Sequence, residues 1–384
     1  MNSLETAARF VSQYDQHASR TLWRKEFEGG WVYEPAVSSE GDLYVGGGRG
    51  ELLALDPQGE LRWKLPVGLV LRAPVLSPDE QTVYVATQES QLMALGRNGN
   101  LLWEQRLGYG GVSTPVLTPG GGLLAGSLAG ELVAFTPQGE PTWSFKTRGG
   151  IQQPALATPE GEIFLRDDRG TVYALDAAGQ ERWKLDTQGC GPLARNADGL
   201  ILVSDWKDLK AVDPASGQVR WQVPASIPRD CGPTVASDGT IFVPGHDKKL
   251  QALNPDGSEK WRAEGPVGLA TTPLLSGDQQ TVVVRGWDRQ VLVFGAEGGL
   301  RWVAPTYQYN GASIMSKLAV GRDGTVYAGS QDSSLAAFKG LTAEEQLEAA
   351  RSHRSDETPG VHVGREWVVI GGTRLRPRQT QAGT

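Results

Sequence analysis

Two thiols, Cys190 and Cys231, are the groups in this chain best suited to hold a metal or carry redox chemistry, and each opens a Cys-Gly-Pro phrase. A tetrahedral site needs more ligands than two sulfurs, and no paired histidine spacing accompanies them. They read as small residues packed at matching places. Two other clusters are richer. Trp206 and Trp287 sit in charged runs, Asp205-Trp206-Lys207 and Trp287-Asp288-Arg289, with His246-Asp247 in a similar run between them. Indoles beside Arg, Lys and Asp have the composition of a recognition hot spot; the plainer reading is that each indole covers its own strand edge, and that His246 is a solvated turn residue. The second cluster is Tyr307, Tyr309, Asn310 and Lys317. A lysine beside two phenols suits an anion, whereas a lysine that fills a wet channel is the plainer reading. No nucleophile elbow or zinc spacing is visible. Gly46-Gly47-Gly48 lies in a hairpin turn, not between a strand and a helix, so it is no phosphate loop.

What positions these groups is a repeat. Tryptophans at 23, 63, 103, 143, 183, 221, 261 and 302 are separated by 40, 40, 40, 40, 38, 40 and 41 residues. Most close a phrase such as Leu55-Asp56-Pro57-Gln58-Gly59-Glu60-Leu61-Arg62-Trp63, in which Pro presets one turn dihedral and Gly accepts the positive φ that follows. Four short strands fit each period, in the first unit about 36–38, 43–46, 51–56 and 61–65. Four strands and one Trp per period of about forty residues predict a β-propeller, akin to the WD40 type, whose blades stack because none buries both faces alone. Seven units are complete. The eighth, from Lys317, lacks its Trp strand, while Thr21 to Phe27 reads as an outer strand with no blade, so the N-terminal strand is expected to close an eight-bladed, all-β ring.

The expected organisation is a helix in 1–20, the propeller over 21–340, a short helix in 341–352 opened by the capping box at Thr342, a linker at 353–360, and a C-terminal hairpin with a basic tail over 361–384. That hairpin is too small to fold alone and must dock on this propeller or on another protein. In a propeller, the second-to-third-strand turns and the connections between blades emerge together on one face, here called the top. Asp205, Trp206, Lys207, His246, Asp247, Asp288 and Arg289 fall on its turns. Tyr307, Tyr309, Asn310 and Lys317, with Glu34, Arg72, Gln152 and Gln153 at matching positions, fall around the mouth of the central channel.

Composition narrows the function classes. Of 384 residues, 50 are Gly, which suits a turn-rich chain, and a net charge of -7 offers no general field for nucleic acid. No apolar run reaches the roughly 18 residues of a membrane span. The opening stretch has polar residues where a secretory signal has its apolar core, so a cytoplasmic protein is expected, or a periplasmic one if this is a trimmed mature form.

The phrase Ala-Leu-Asp-x-x-Gly-x-x-x-Trp, at 54–63 and 174–183, resembles the PQQ-type propeller repeat of quinoprotein dehydrogenases and of BamB-like proteins, over roughly 320 residues. The quinoprotein resemblance implies a quinone held by adjacent cysteines and a Trp, with Ca2+ and an Asp base; this chain has no Cys-Cys pair and little room for the long insertions of those enzymes. The BamB-like resemblance implies a non-catalytic platform, although the lipidated cysteine of that group has no counterpart here. The expectation is therefore a monomeric scaffold that binds another protein or peptide on its top face, with no cofactor, no metal and no catalytic residues. The alternative is a quinone-like sensor or PQQ-dependent oxidoreductase with its ligand, PQQ with Ca2+, at the channel mouth.

Overall fold

In the computed structural model, which describes residues 21–28, 30–108, 110–288, 290–305, 318–330, 333–339, 362–363, 368–370 and 373–375, each repeat unit is an antiparallel meander. The first strand, β1 (Thr21–Glu26), precedes these units. Blade one is then β2 (Ala36–Val37), β3 (Leu43–Gly47), β4 (Glu51–Leu55) and β5 (Leu61–Pro66), hydrogen-bonded in that order. Blades two to seven repeat it over 75–106, 116–146, 156–186, 194–224, 234–264 and 274–305. Blade eight takes three strands from 318–338, and its outermost strand is β1, with Trp23 opposite Ala337. The described chain thus forms the eight four-stranded sheets that the tryptophan period predicts.

The burial pattern explains why these sequences make these strands. β3 is buried along its whole length and β4 nearly so, because a neighbouring blade covers each face. The outer strand β5 alternates, with Trp63 and Leu65 on its inner side. Eight apolar clusters result, one for each pair of adjacent blades, including Val32, Val45 and Leu53 of blade one with Tyr327 and Leu335 of blade eight. Each blade therefore finds its core only against its neighbours.

Six of the repeat tryptophans, Trp23, Trp63, Trp103, Trp143, Trp183 and Trp261, join blades by one device. Trp103 Nε1 donates to the carbonyl of Pro137 in the next blade at 2.9 Å, and Trp143 Nε1 to Ala177 at 3.1 Å. Each ring lies against a turn glycine: a β carbon on Gly139 would stand 2.5 Å from Trp103 Cδ2, and one on Gly179 2.4 Å from Trp143 Cε3. Those glycines also carry φ of +86° and +79°, so close approach and backbone conformation both demand glycine.

The expected helices in 1–20 and 341–352 and the linker lie outside the described residues. In the C-terminal segment Val368–Ile370 pairs antiparallel with Thr373–Leu375, and His362–Val363 adds a third short strand. No helix among the described residues is long and apolar enough to cross a membrane.

Candidate functional site

In blades two, four, six and seven the entering connection hydrogen-bonds to that blade's second-to-third-strand turn. Gln88 N donates to Leu69 O at 2.9 Å, Asp168 N to Gly150 O at 2.8 Å, His246 N to Ser226 O at 2.7 Å and Trp287 N to Gly268 O at 2.9 Å. Both loop sets therefore form one face with a braced backbone. In blades two, three and four the first turn residue ties the turn through its own oxygen: Thr87 Oγ1 accepts from Gln91 N, Ser127 Oγ from Glu131 N, and Asp167 Oδ1 from Arg169 N and Thr171 N.

Blade five spends that first residue differently. Asp205 is only 7% exposed, accepts Lys210 Nζ at 2.6 Å and accepts Gln188 N at 2.7 Å. Burial pushes its carboxyl up, but the Lys210 hydrogen bond, the Gln188 N–H and the charges of Lys210 and Arg166 outweigh it and hold Asp205 below the usual range. Asp205 thus props the turn from beneath. Trp206, the next residue, is 57% exposed, and the Lys207 carbonyl accepts from Ala225 N at 2.8 Å while its side chain faces solvent.

In blade six His246, Asp247 and Lys248 are all exposed, with Lys248 at φ +72°. Trp287 of blade seven, also 57% exposed, leans back on His246, ring centroids 5.4 Å apart. Gly268 permits this contact, since a β carbon there would meet His246 O at 2.7 Å and Trp287 Cδ1 at 3.0 Å. Asp288 Oδ1 accepts from Gln290 N at 3.2 Å. Protein packed around its carboxyl pushes that group up, although much of the residue faces solvent. Arg289 lies outside the described residues.

Between blades five and six the top face opens into a cleft of about 370 Å³, walled by Trp206 and Lys207 on one side and by Asp247, Lys249, Gln251 and Arg262 on the other. Pro224, Ala225 and Val243 form its apolar floor. Sequence reading found the turn residues of this cleft and missed Gln251 and Arg262, which come from the third and fourth strands of blade six. It also missed Arg166, 3% exposed at a position where blades one and three have Gly46 and Gly126. Arg166 Nη1 donates to Ser204 O at 2.7 Å and Nη2 to Thr187 Oγ1, and burial pushes the guanidinium down to about 10.

The channel-mouth group comes together only in part. Arg72 and Gln152 line one small cleft of about 90 Å³, and Glu34 is half-buried in blade one's entry loop. Tyr307, Tyr309, Asn310 and Lys317 lie outside the described residues. Cys231 is buried, whereas Cys190 is half-buried, with Sγ 3.3 Å from Arg229 Nε; burial pushes its thiol up against that hydrogen bond. Among the described residues no group of His, Cys, Asp and Glu is arranged to hold a cation.

Comparison with known proteins agrees with this geometry. The family model described as outer membrane protein assembly factor BamB matches residues 8–134, 94–229 and 205–369. Among solved structures, BamB from Moraxella catarrhalis is 16% identical, with a TM-score of 0.66 over 83% of this chain and 99% of its own. The C-terminal WD40 domain of Sif2 is 13% identical, with a TM-score of 0.71 and the same coverage. At such identities the likeness is one of fold. No curated protein matches by sequence. Three overlapping matches that together run from residue 8 to 369, on a ring of eight PQQ-like blades, establish that the chain belongs to the BamB family of PQQ-repeat β-propellers.

Proposed function

We propose that this chain is a non-catalytic interaction platform that receives a partner protein on the top face of blades five to seven. One observation carries the reading: two indoles, Trp206 and Trp287, are each 57% exposed on turns whose backbones are braced by neighbouring loops. An indole is a costly group to leave in water, and aromatic anchors on a rigid backbone bind with little ordering cost. Membership of a family named for an assembly factor supports a platform over a catalyst. The ring leaves no blade edge that forces assembly with a second copy, so the platform is proposed to act as a monomer.

The test is affinity capture with the tagged wild-type chain, followed by direct titration of the purified captured protein. Trp206→Ala or Trp287→Ala should each weaken that binding about tenfold or more, a loss on the order of 1–2 kcal/mol. Melting temperature should barely move, since exposed substitutions stay within about 0.5 kcal/mol. A large drop in melting temperature for either variant, or unchanged affinity in both, would sink the proposal.

A further inference from the structure

The repeat supplies internal controls for the cleft between blades five and six. One position of each third strand pairs with the second strand and faces the preceding blade: Leu53 opposite Val45, Met93 opposite Val85, Val133 opposite Ala125, Tyr173 opposite Leu165, and Leu292 opposite Val284. Apolar side chains at this position plug the outer part of the wedge between blades. Blades five and six carry Lys210 and Gln251 there instead. Lys210 still fills its wedge, because its ammonium turns to the buried Asp205 carboxylate at 2.6 Å. Gln251 is drawn outward, donating to Glu259 Oε2 at 3.2 Å, and its wedge stays open as the cleft of about 370 Å³.

The walls of that opening differ in charge from the molecule as a whole. Lys207, Lys249 and Arg262 line it against a single lining carboxylate, Asp247, which is 3.9 Å from Lys249 Nζ. Arg262 also shares the rim carboxylate Glu259 at 2.6 Å, and Lys248, the residue before Lys249, is exposed. Lys207 has no carboxylate partner among the described residues. On a chain of net charge -7, this is a local excess of cations over an apolar floor, with an exposed indole at its edge.

We infer that this cleft is the seat of an acidic peptide segment, presented by a partner protein, that inserts one apolar side chain against Trp206 and the floor while its carboxylates meet Lys207, Lys249 and Arg262. This rests on the platform reading and adds the chemistry of the partner. A peptide is favoured over single-stranded nucleic acid, which needs a track of cations along its backbone; here Asp247 and Glu259 interrupt any such track. Local complementarity also predicts salt-sensitive binding, since charges at the surface are screened beyond about 8 Å at physiological ionic strength.

The experiment titrates the full chain with three labelled probes by fluorescence anisotropy: a glutamate-rich peptide with one central phenylalanine, the same peptide with lysine for glutamate, and oligodeoxythymidine. The glutamate peptide is expected to bind saturably, and to weaken about tenfold with Lys207→Glu and with Trp206→Ala. Trp287→Ala should leave it nearly unchanged. All three residues are exposed, so the variants are expected to fold, and melting curves check this. Equal binding of the lysine peptide, preference for the oligonucleotide, or indifference to Lys207→Glu would each overturn the inference. Where the glutamate peptide fails to bind but Trp206→Ala still weakens the captured partner, the inference falls and the platform reading stands; where neither responds, both fall.

Discussion

Trp103 and Trp206 put the same side chain to opposite uses, and the difference lies in what the next blade offers. Trp103 finds a glycine turn with a free carbonyl, so its ring is received and its N–H is satisfied by Pro137 O at 2.9 Å. Trp206 stands off the period, on a top-face turn, beside a wedge whose wall is Gln251 and Arg262 rather than an apolar plug. Trp287 is intermediate, supported on one side by His246 and open on the other. An aromatic residue is therefore structural or interactive according to its receiving surface, and the repeat allows that surface to be compared blade by blade.

The comparison breaks most visibly if the receiving surface is removed. Gly139→Ala puts a methyl group 2.5 Å from Trp103 Cδ2 at a φ of +86°, so the ring must slide out and surrender its hydrogen bond. Strain and overpacking together should cost about 3 kcal/mol, lowering the melting temperature of a ring of roughly 320 residues by about 4–5 °C. Gly121→Ala is the matched control, because Gly121 shares a positive φ, +79°, while a β carbon there meets only Pro137 Cγ at 3.8 Å. Calorimetry on the pair decides the matter: equal effects would mean that the tryptophan–glycine contact is incidental.

A smaller effect should follow from emptying the one polar wedge that is filled. Lys210→Met leaves the buried Asp205 carboxylate with only the Gln188 N–H and the more distant Arg166 charge. Stripping one partner from a largely buried pair should cost about 2 kcal/mol at neutral pH. The sign with pH follows from the lowered native pKa of Asp205. Its ion pair stabilises the wild type fully above about pH 4, the unfolded value, and that contribution is lost as pH falls through the lower native value. In the variant, burial prevails and favours the neutral acid. Urea unfolding should therefore show the two proteins converging in stability below about pH 4, and a gap that widens on acidification would contradict the assignment.

Much of this architecture is legible in the sequence because it is periodic: eight tryptophans, their turn glycines and the alternating outer strands each recur at one spacing, and a ring of stacked blades is the arrangement that buries them. The exposed pair Trp206 and Trp287 is legible for the converse reason, since they break the period. What stays hidden depends on direction across a blade interface. Asp205 and Trp206 are neighbours in one turn, yet one is buried under it and the other faces water. Gln251 reads as an ordinary polar strand residue until strand pairing sets it level with Leu53 and Met93. Arg166 is likewise unremarkable until it is found where other blades have glycine.

The smallest effect tests whether His246 holds Trp287 ready for a partner. The two rings lie 5.4 Å apart at 36°, both largely in solvent, so the contact adds little to global stability. Its consequence is to restrict an indole that would otherwise sample several rotamers, and ordering such a side chain on binding costs about 0.5–1.5 kcal/mol. His246→Ala should therefore weaken the captured partner about threefold without moving the melting temperature. The effect should vanish when Trp287 has already been replaced by alanine, because the double-mutant cycle then has no indole left to orient. If His246→Ala costs the same affinity in both backgrounds, His246 touches the partner itself rather than acting through Trp287.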